Sequence, residues 1–368
     1  MIRSLVPFRL VALLAGLVTF PLMAQDASLP ERQASETPQQ VLVPLSYNHP
    51  GLIVDLGVGL WAWPIPCDAD SDGDFDLIVS CPDKPSNGVW YFENRHADTK
   101  DDPMPVFEPA VKISGTVHYV MPSYTDHGMR VLSPGKEYLD FTKTGTTASK
   151  PLSVPANFYK PQGTQTKGPK VRHNQWRYVD YDHDGTLDLI VGIEDWSFYG
   201  WDDAWDVQGR WQTGPLRGFV YFLRGLPDGK FAEPEVLKNQ AGTPLETFGC
   251  PSPNLLDWDN DGDLDLLCGE FLDGFTYFQN IGTKQEPIYR DATEVVGTSG
   301  KPLKMELQMI VPVAFDWDRD GHPDLIVGDE DGRVAWVRNR GEHTSDGTPI
   351  FESPKYFQQR ADTLKCGA

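Results

Sequence analysis

The chain of 368 residues sets 53 Asp and Glu against 32 Lys and Arg, a formal net charge of −21. Such an acidic surface repels phosphate backbones and anionic lipid headgroups, so nucleic acid and membrane surfaces are excluded as expected partners. The 18 Phe, 13 Tyr and 11 Trp separate it from acidic disordered sequences, and its acid falls in short clusters that suggest bound cations.

Residues 1–24, MIRSLVPFRLVALLAGLVTFPLMA, carry two arginines, an apolar run and a small residue at the end. That layout predicts a secretory signal peptide cleaved after Ala24. The apolar run from Leu10 to Met23 contains Pro21 and is shorter than the roughly 20 residues a membrane span needs. Without Arg3 and Arg9 the mature chain holds 30 basic against 53 acidic residues, a net charge of −23. We expect a secreted or periplasmic protein with no membrane span, a linker over 25–40 and one structured region over 41–368. Five cysteines are too few for a disulfide scaffold; Cys67–Cys81 and Cys250–Cys268 are the local candidate pairs.

One segment recurs along the chain: DADSDGDFDLIVS from Asp68, DYDHDGTLDLIVG from Asp180, DWDNDGDLDLLCG from Asp257 and DWDRDGHPDLIVG from Asp316. Each reads D-x-D-x-D-G-x-x-D followed by apolar residues. An aromatic run follows each (VWYFEN at Val89, FVYFLR at Phe219, FTYFQN at Phe275, VAWVRN at Val334), and then a further short segment. Extended pieces such as QWRYV and MIVPVAF precede the loops. Each unit therefore contains about four short strands, rich in β-branched and aromatic residues, with no long 3.6-residue period. Repeats of this length predict an all-β fold, a β-propeller of four-stranded antiparallel blades, rather than the shorter repeats of a calcium-binding β-helix.

The loop starts lie 112, 77 and 59 residues apart. The first gap fits two units, the second of them a degenerate blade without a metal loop over Ile113–Lys170. About 21 extra residues in the next unit form a Trp-rich insertion over 194–217. LKCGA at Leu364–Ala368 lines up with the segment before the loop at Asp257, so the chain reads as stopping at the threshold of another unit. Either Val41–Leu60 completes the last blade or the chain is a fragment with an incomplete ring, and the second is the reading favoured.

Alternating carboxylates around a turn glycine suit Ca²⁺, which accepts 6–8 hard oxygens. An EF-hand begins in the same way, but its twelfth position supplies a glutamate. Here that position is Val79, Val191, Cys268 or Val327, each inside a strand-like run. The loop and its flanks resemble the FG-GAP repeats of integrin α-subunit propellers, and more closely the bacterial VCBS repeats, across about Leu52–Phe357. The resemblance implies structural calcium on Asp68, Asp70, Asp72 and Asp76; Asp180, Asp182, Asp184 and Asp188; Asp257, Asp259, Asp261 and Asp265; and Asp316, Asp318, Asp320 and Asp324. The backbone carbonyl at position 7 completes each expected set, and Arg319 is expected to point away.

The repeat names a scaffold and not a function. Trp196, Trp201, Trp205 and Trp211 of the insertion form a candidate ligand surface, since indoles stack on sugar rings and serve protein contacts. A second region, Gly115–Asp140 with Lys170–Tyr178, collects His118, Tyr119, Tyr124, His127, Arg130, His173 and Arg177. A cation and a base in one place suit a polysaccharide lyase, so a carbohydrate-active enzyme is the alternative to a propeller that binds a glycan or an extracellular protein. No residue receives a catalytic role.

Overall fold

The computed structural model describes residues 52–95, 103–155, 171–200 and 204–361. The expected leader, the linker, Trp201 and Cys366 lie outside these residues. Within them the chain forms seven sheets: two of three strands and five blade sheets, each with four strands antiparallel in sequence order, the third blade carrying Glu246–Thr247 as an additional strand. Blade 1 contains Trp63–Cys67, Asp76–Cys81, Gly88–Phe92 and Val111–Ser114. Blade 2 contains Met121–Thr125, Gly128–Ser133, Lys136–Tyr138 and Ser149–Pro151. Blade 3 contains Val171–Val179, Asp188–Asp195, Arg217–Leu223 and Glu235–Val236. Blade 4 contains Ser252–Leu256, Asp265–Gly269, Phe275–Phe278 and Thr293–Glu294. Blade 5 contains Val311–Phe315, Asp324–Gly328, Val334–Val337 and Lys355–Tyr356. The only helix among the described residues is the single turn Phe141–Thr144.

The apolar tail of each repeat forms the second strand of its blade, and it is apolar throughout because both faces are covered. Side chains alternate across a strand. Leu77 and Val79 therefore pack on Ile326 and Trp336 of blade 5, while Ile78 packs on Val131 and Tyr138 of blade 2. Leu189, Val191 and Ile193 meet Leu132 of blade 2, and Ile190 meets Leu266 and Cys268 of blade 4. Leu267 turns the other way, towards Leu325 and Val327 of blade 5. Each blade thus shares an apolar cluster with the next, and blade 5 shares one with blade 1.

The ring closes within the described residues, whereas the alignment of LKCGA with the segment before a loop favoured a ring short of closure. The Ala62 and Trp61 amides donate to the Asp329 and Glu330 carbonyls at 3.0 and 2.8 Å, which stitches blade 1 to blade 5. Gly328 is needed there, because a Cβ on it would collide with the Ala62 carbonyl. Leu52–Asp55 also pairs antiparallel with Gln358–Ala361, which runs parallel to Val106–Phe107, so the two described ends of the chain meet in one small sheet. The C-terminal alignment could not show this closure, because it rests on pairing between segments from opposite ends of the described chain.

Blade 2 falls inside the segment expected to be degenerate. Its first two strands are joined by a two-residue turn at Asp126 and His127, with Thr125 paired to Gly128. The turn takes the place of the nine-residue metal loop seen in the other blades.

The candidate disulfides do not form: Cys67, Cys81, Cys250 and Cys268 are all buried free thiols. Cys67 pairs across the sheet with Asp76, five residues from Cys81, a separation of roughly 15 Å along the strand. The Cys250 thiol instead donates to Glu194 Oε1 at 3.2 Å.

Candidate functional site

The four aspartate loops connect the first and second strands of blades 1, 3, 4 and 5. Position 6 must be glycine because the backbone enters the left-handed region there, with φ of 102°, 83°, 98° and 93° at Gly73, Gly185, Gly262 and Gly321. The aspartates curl each loop around itself. Asp257 Oδ2 accepts from the Gly262 amide at 3.0 Å, and Asp261 Oδ1 from the Asp263 amide at 3.1 Å. Asp316 Oδ2 accepts from Gly321, and Asp180 Oδ2 from Gly185, both at 3.1 Å.

This curling gathers carboxylate oxygens to within 4.8 Å of one another in four clusters: Asp68, Asp70 and Asp76; Asp180, Asp182 and Asp188; Asp257, Asp259 and Asp261; Asp316, Asp318 and Asp320. Asp72, Asp184, Asp265 and Asp324, also expected as ligands, stand outside these four sets. The loops fit a divalent cation on a second ground as well. Asp180 Oδ1, Asp182 Oδ1, Asp257 Oδ1 and Asp318 Oδ1 are buried without a hydrogen-bond partner. Buried carboxylate oxygens that face one another without donors are costly unless a cation neutralises them. Asp263 adds an oxygen that the sequence reading did not count: Oδ1 is buried without a partner, and burial and the neighbouring aspartates push its carboxyl up to about 6.

The ninth aspartate acts as a clamp. Asp76, Asp188, Asp265 and Asp324 are each fully buried. One oxygen accepts from the backbone at position 2 of the loop: Ala69, Tyr181, Trp258 and Trp317 at 3.0, 2.9, 3.2 and 3.1 Å. The other accepts from the backbone just beyond the third strand: Asn94, Gly225, Asn280 and Asn339 at 2.8, 2.7, 2.7 and 2.7 Å. Tyr91, Tyr277 and Trp336 add side-chain donors. Burial pushes these carboxyls up, to about 6 in Asp76 and Asp188 and about 7 in Asp265 and Asp324. Each therefore ties three parts of a blade together, and only Asp76 and Asp188 also reach a cluster.

The residue before that third-strand donor differs among the blades. Arg338 Nη2 lies 2.5 Å from Asp318 Oδ2 and 3.1 Å from Asp320 Oδ2, and Arg224 pairs with Asp182. In blade 4 the neutral Gln279 donates to Asp259 Oδ2 at 2.6 Å, and in blade 1 the position is Glu93. Two loops thus carry a competing cation and two do not. These arginines stand far from the loops in sequence, in aromatic runs that gave no hint of them. Arg319 does point away: its guanidinium donates to the Gly73 carbonyl and lies 4.0 Å over the Phe75 ring.

The tryptophan surface is corrected in part. Trp196 is 5% exposed, packed edge-on against Phe271 and Tyr199, with the Arg172 guanidinium 4.9 Å over its ring. Trp211 is half-buried and Trp205 is 55% exposed; the two pair across a small turn with ring centroids 5.2 Å apart. The insertion buries its own aromatics first, because packed aromatics gain more than solvated ones.

The second region divides along the propeller axis. His173 is fully buried between Trp63, Trp61 and Tyr119, at centroid distances of 5.4, 5.6 and 5.5 Å. Burial, and secondarily Arg172, holds its imidazole down to about 3. Arg130 pairs with Glu137. His118 and Tyr119 line a shallow hollow at the start of the first strands. Tyr124, His127 and Arg177 instead line a cavity of about 560 Å³ where those strands end, beside Asp180 and Asp316 of two metal loops.

No protein-family model matches the chain, and no curated protein does. Among solved structures it is similar to the crystal structure of BBS1N in complex with ARL6DN, soaked with lead, at 11% identity and a TM-score of 0.34 over 85% of this chain and 91% of that one. The chain is all-β, built from four-stranded antiparallel sheets set as propeller blades, and it carries aspartate clusters able to hold metal ions.

Proposed function

We propose that this is an exported, calcium-stabilised β-propeller of the FG-GAP/VCBS type that presents loops to a glycan or an extracellular protein. The observation that carries the reading is the set of buried carboxylate oxygens without partners, repeated in blades 3, 4 and 5. Calcium would sit on the clustered aspartates and supply charge compensation, which holds the loops without taking part in chemistry. Among the described residues of the insertion Trp205 is the open indole, and it offers a flat face for a sugar ring or an apolar side chain.

Two measurements test this. A chelator is expected to lower the melting temperature and added Ca²⁺ to restore it, with Mg²⁺ a poor substitute. Glycan-array binding by the calcium-loaded protein is expected to fall several-fold in Trp205→Ala. A melting temperature indifferent to chelator would remove the calcium reading, and a Trp205→Ala variant that binds like the parent would remove that surface.

A further inference from the structure

We propose that the central cavity is a binding site for a small organic acid, a single carboxylate on a compact and mostly apolar body, and that Arg177 receives the carboxylate. The cavity of about 560 Å³ has the size of small-molecule sites and opens where the first strands of the blades end. Leu187, Ile190, Leu255 and Phe315 supply apolar walls, and the open Tyr124 ring lies 5.1 Å from Phe315.

The polar groups in the walls are mostly committed to the fold. Ser123 Oγ accepts from the Tyr178 amide at 2.9 Å. The Asn254 amide donates to the Ser252 and Pro312 carbonyls, and its oxygen accepts from the Ala314 amide. Arg177 is different. It is 8% exposed, its Nη2 donates to the Pro312 carbonyl at 2.9 Å, and its Nε is buried without a partner.

No carboxylate pairs with Arg177 among the described residues. The groups that act on it electrostatically are Tyr124 and Cys268. Both stay neutral: the Tyr124 ring is open on one side, but its hydroxyl turns inward and donates to the Pro66 carbonyl at 2.6 Å, and desolvation pushes it and the buried Cys268 thiol well above their ordinary values. A buried guanidinium without a counter-charge is costly, and its planar fork matches a carboxylate. The rim argues for a monoanion. Asp126 borders the cavity outside the metal clusters and the chain is acidic overall, so polyanions and phosphate dianions are repelled. The site rests on the cavity and is independent of the Trp205 surface.

The test uses the full calcium-loaded chain, titrated calorimetrically with benzoate and with its uncharged isostere benzamide at fixed ionic strength. Benzoate is expected to bind at least tenfold more tightly than benzamide. Arg177→Met should erase the preference, Arg177→Lys should keep part of it, and Trp205→Ala should keep it whole. Equal affinities in the parent protein, or a preference that survives in Arg177→Met, would overturn the proposal. If Arg177→Met does not fold, acetate competition in the parent decides: displacement of benzoate by acetate, but not by chloride at equal ionic strength, supports the site, and no displacement rejects it.

Discussion

Asp265→Asn separates a clamp from a metal ligand. Asp265 Oδ1 accepts from the Asn280 amide at 2.7 Å, while Oδ2 accepts from the Trp258 amide at 3.2 Å and the Tyr277 hydroxyl at 2.8 Å, all in a fully buried setting. Asparagine keeps one oxygen and places an NH₂ group against a backbone N–H, so at least one buried donor loses its acceptor. Such a loss costs about 1–3 kcal/mol. The desolvation that pushes this carboxyl up to about 7 offsets part of the loss, since a neutral side chain is cheaper to bury. The net is about 1–2 kcal/mol, a fall in melting temperature of roughly 2–4 °C for a domain of this size. Asp261 is exposed and accepts only from the Asp263 amide, so Asp261→Asn should cost within about 0.5 kcal/mol when metal is absent. Thermal melts in EDTA and in excess Ca²⁺ distinguish the two. Asp265→Asn should be destabilised by a similar amount in both conditions. Asp261→Asn should match the parent in EDTA and lose part of the calcium-induced rise. An Asp265→Asn protein that melts like the parent in EDTA but fails to respond to calcium would refute the clamp.

Arg338→Gln should tighten calcium binding at the blade 5 loop about two- to fivefold, because an ion pair of this exposure contributes about 0.4–1 kcal/mol of competition; calorimetric titration that shows unchanged or weaker binding there counts against it. His173 supplies a pH dependence. Its folded pKa of about 3 lies below the ordinary value, so the unfolded chain binds the extra proton, and stability present above about pH 6.5 is lost as pH falls. The slope is about 1.4 kcal/mol per pH unit, and it should be absent in His173→Phe; denaturant titrations at pH 4.5 and 6.5 check the difference. Glu194, whose carboxyl is raised by burial, acts in the opposite direction in both proteins and cancels from the comparison. Cys67, Cys81, Cys250 and Cys268 are buried thiols held protonated, so a thiol-specific reagent should leave them unlabelled in the native protein and label them in guanidinium. Rapid native labelling at any of the four would contradict their burial.

The sequence by itself determined the element type and the repeat. The apolar tail after each aspartate loop is a strand buried on both faces, and glycine at position 6 is required by a left-handed turn, so both are local and recur with the motif. The carboxylate clusters were legible for the same reason, since positions 1 and 3 of the turn fall together in all four loops, whereas the third member is position 5 in blades 4 and 5 and position 9 in blades 1 and 3. Only the tertiary structure decided the rest, because it depends on pairings between distant segments. The ninth aspartate reads like a ligand, yet it binds backbone amides that stand 15 to 37 residues further along the chain. Arg224 and Arg338 enter the loops from another strand. Trp196 is buried by Phe271 of the next blade, and Arg177 reads as an ordinary strand cation until five first strands converge and leave it without a counter-charge. Convergence at an axis is a property of the closed ring, and no window of sequence contains it.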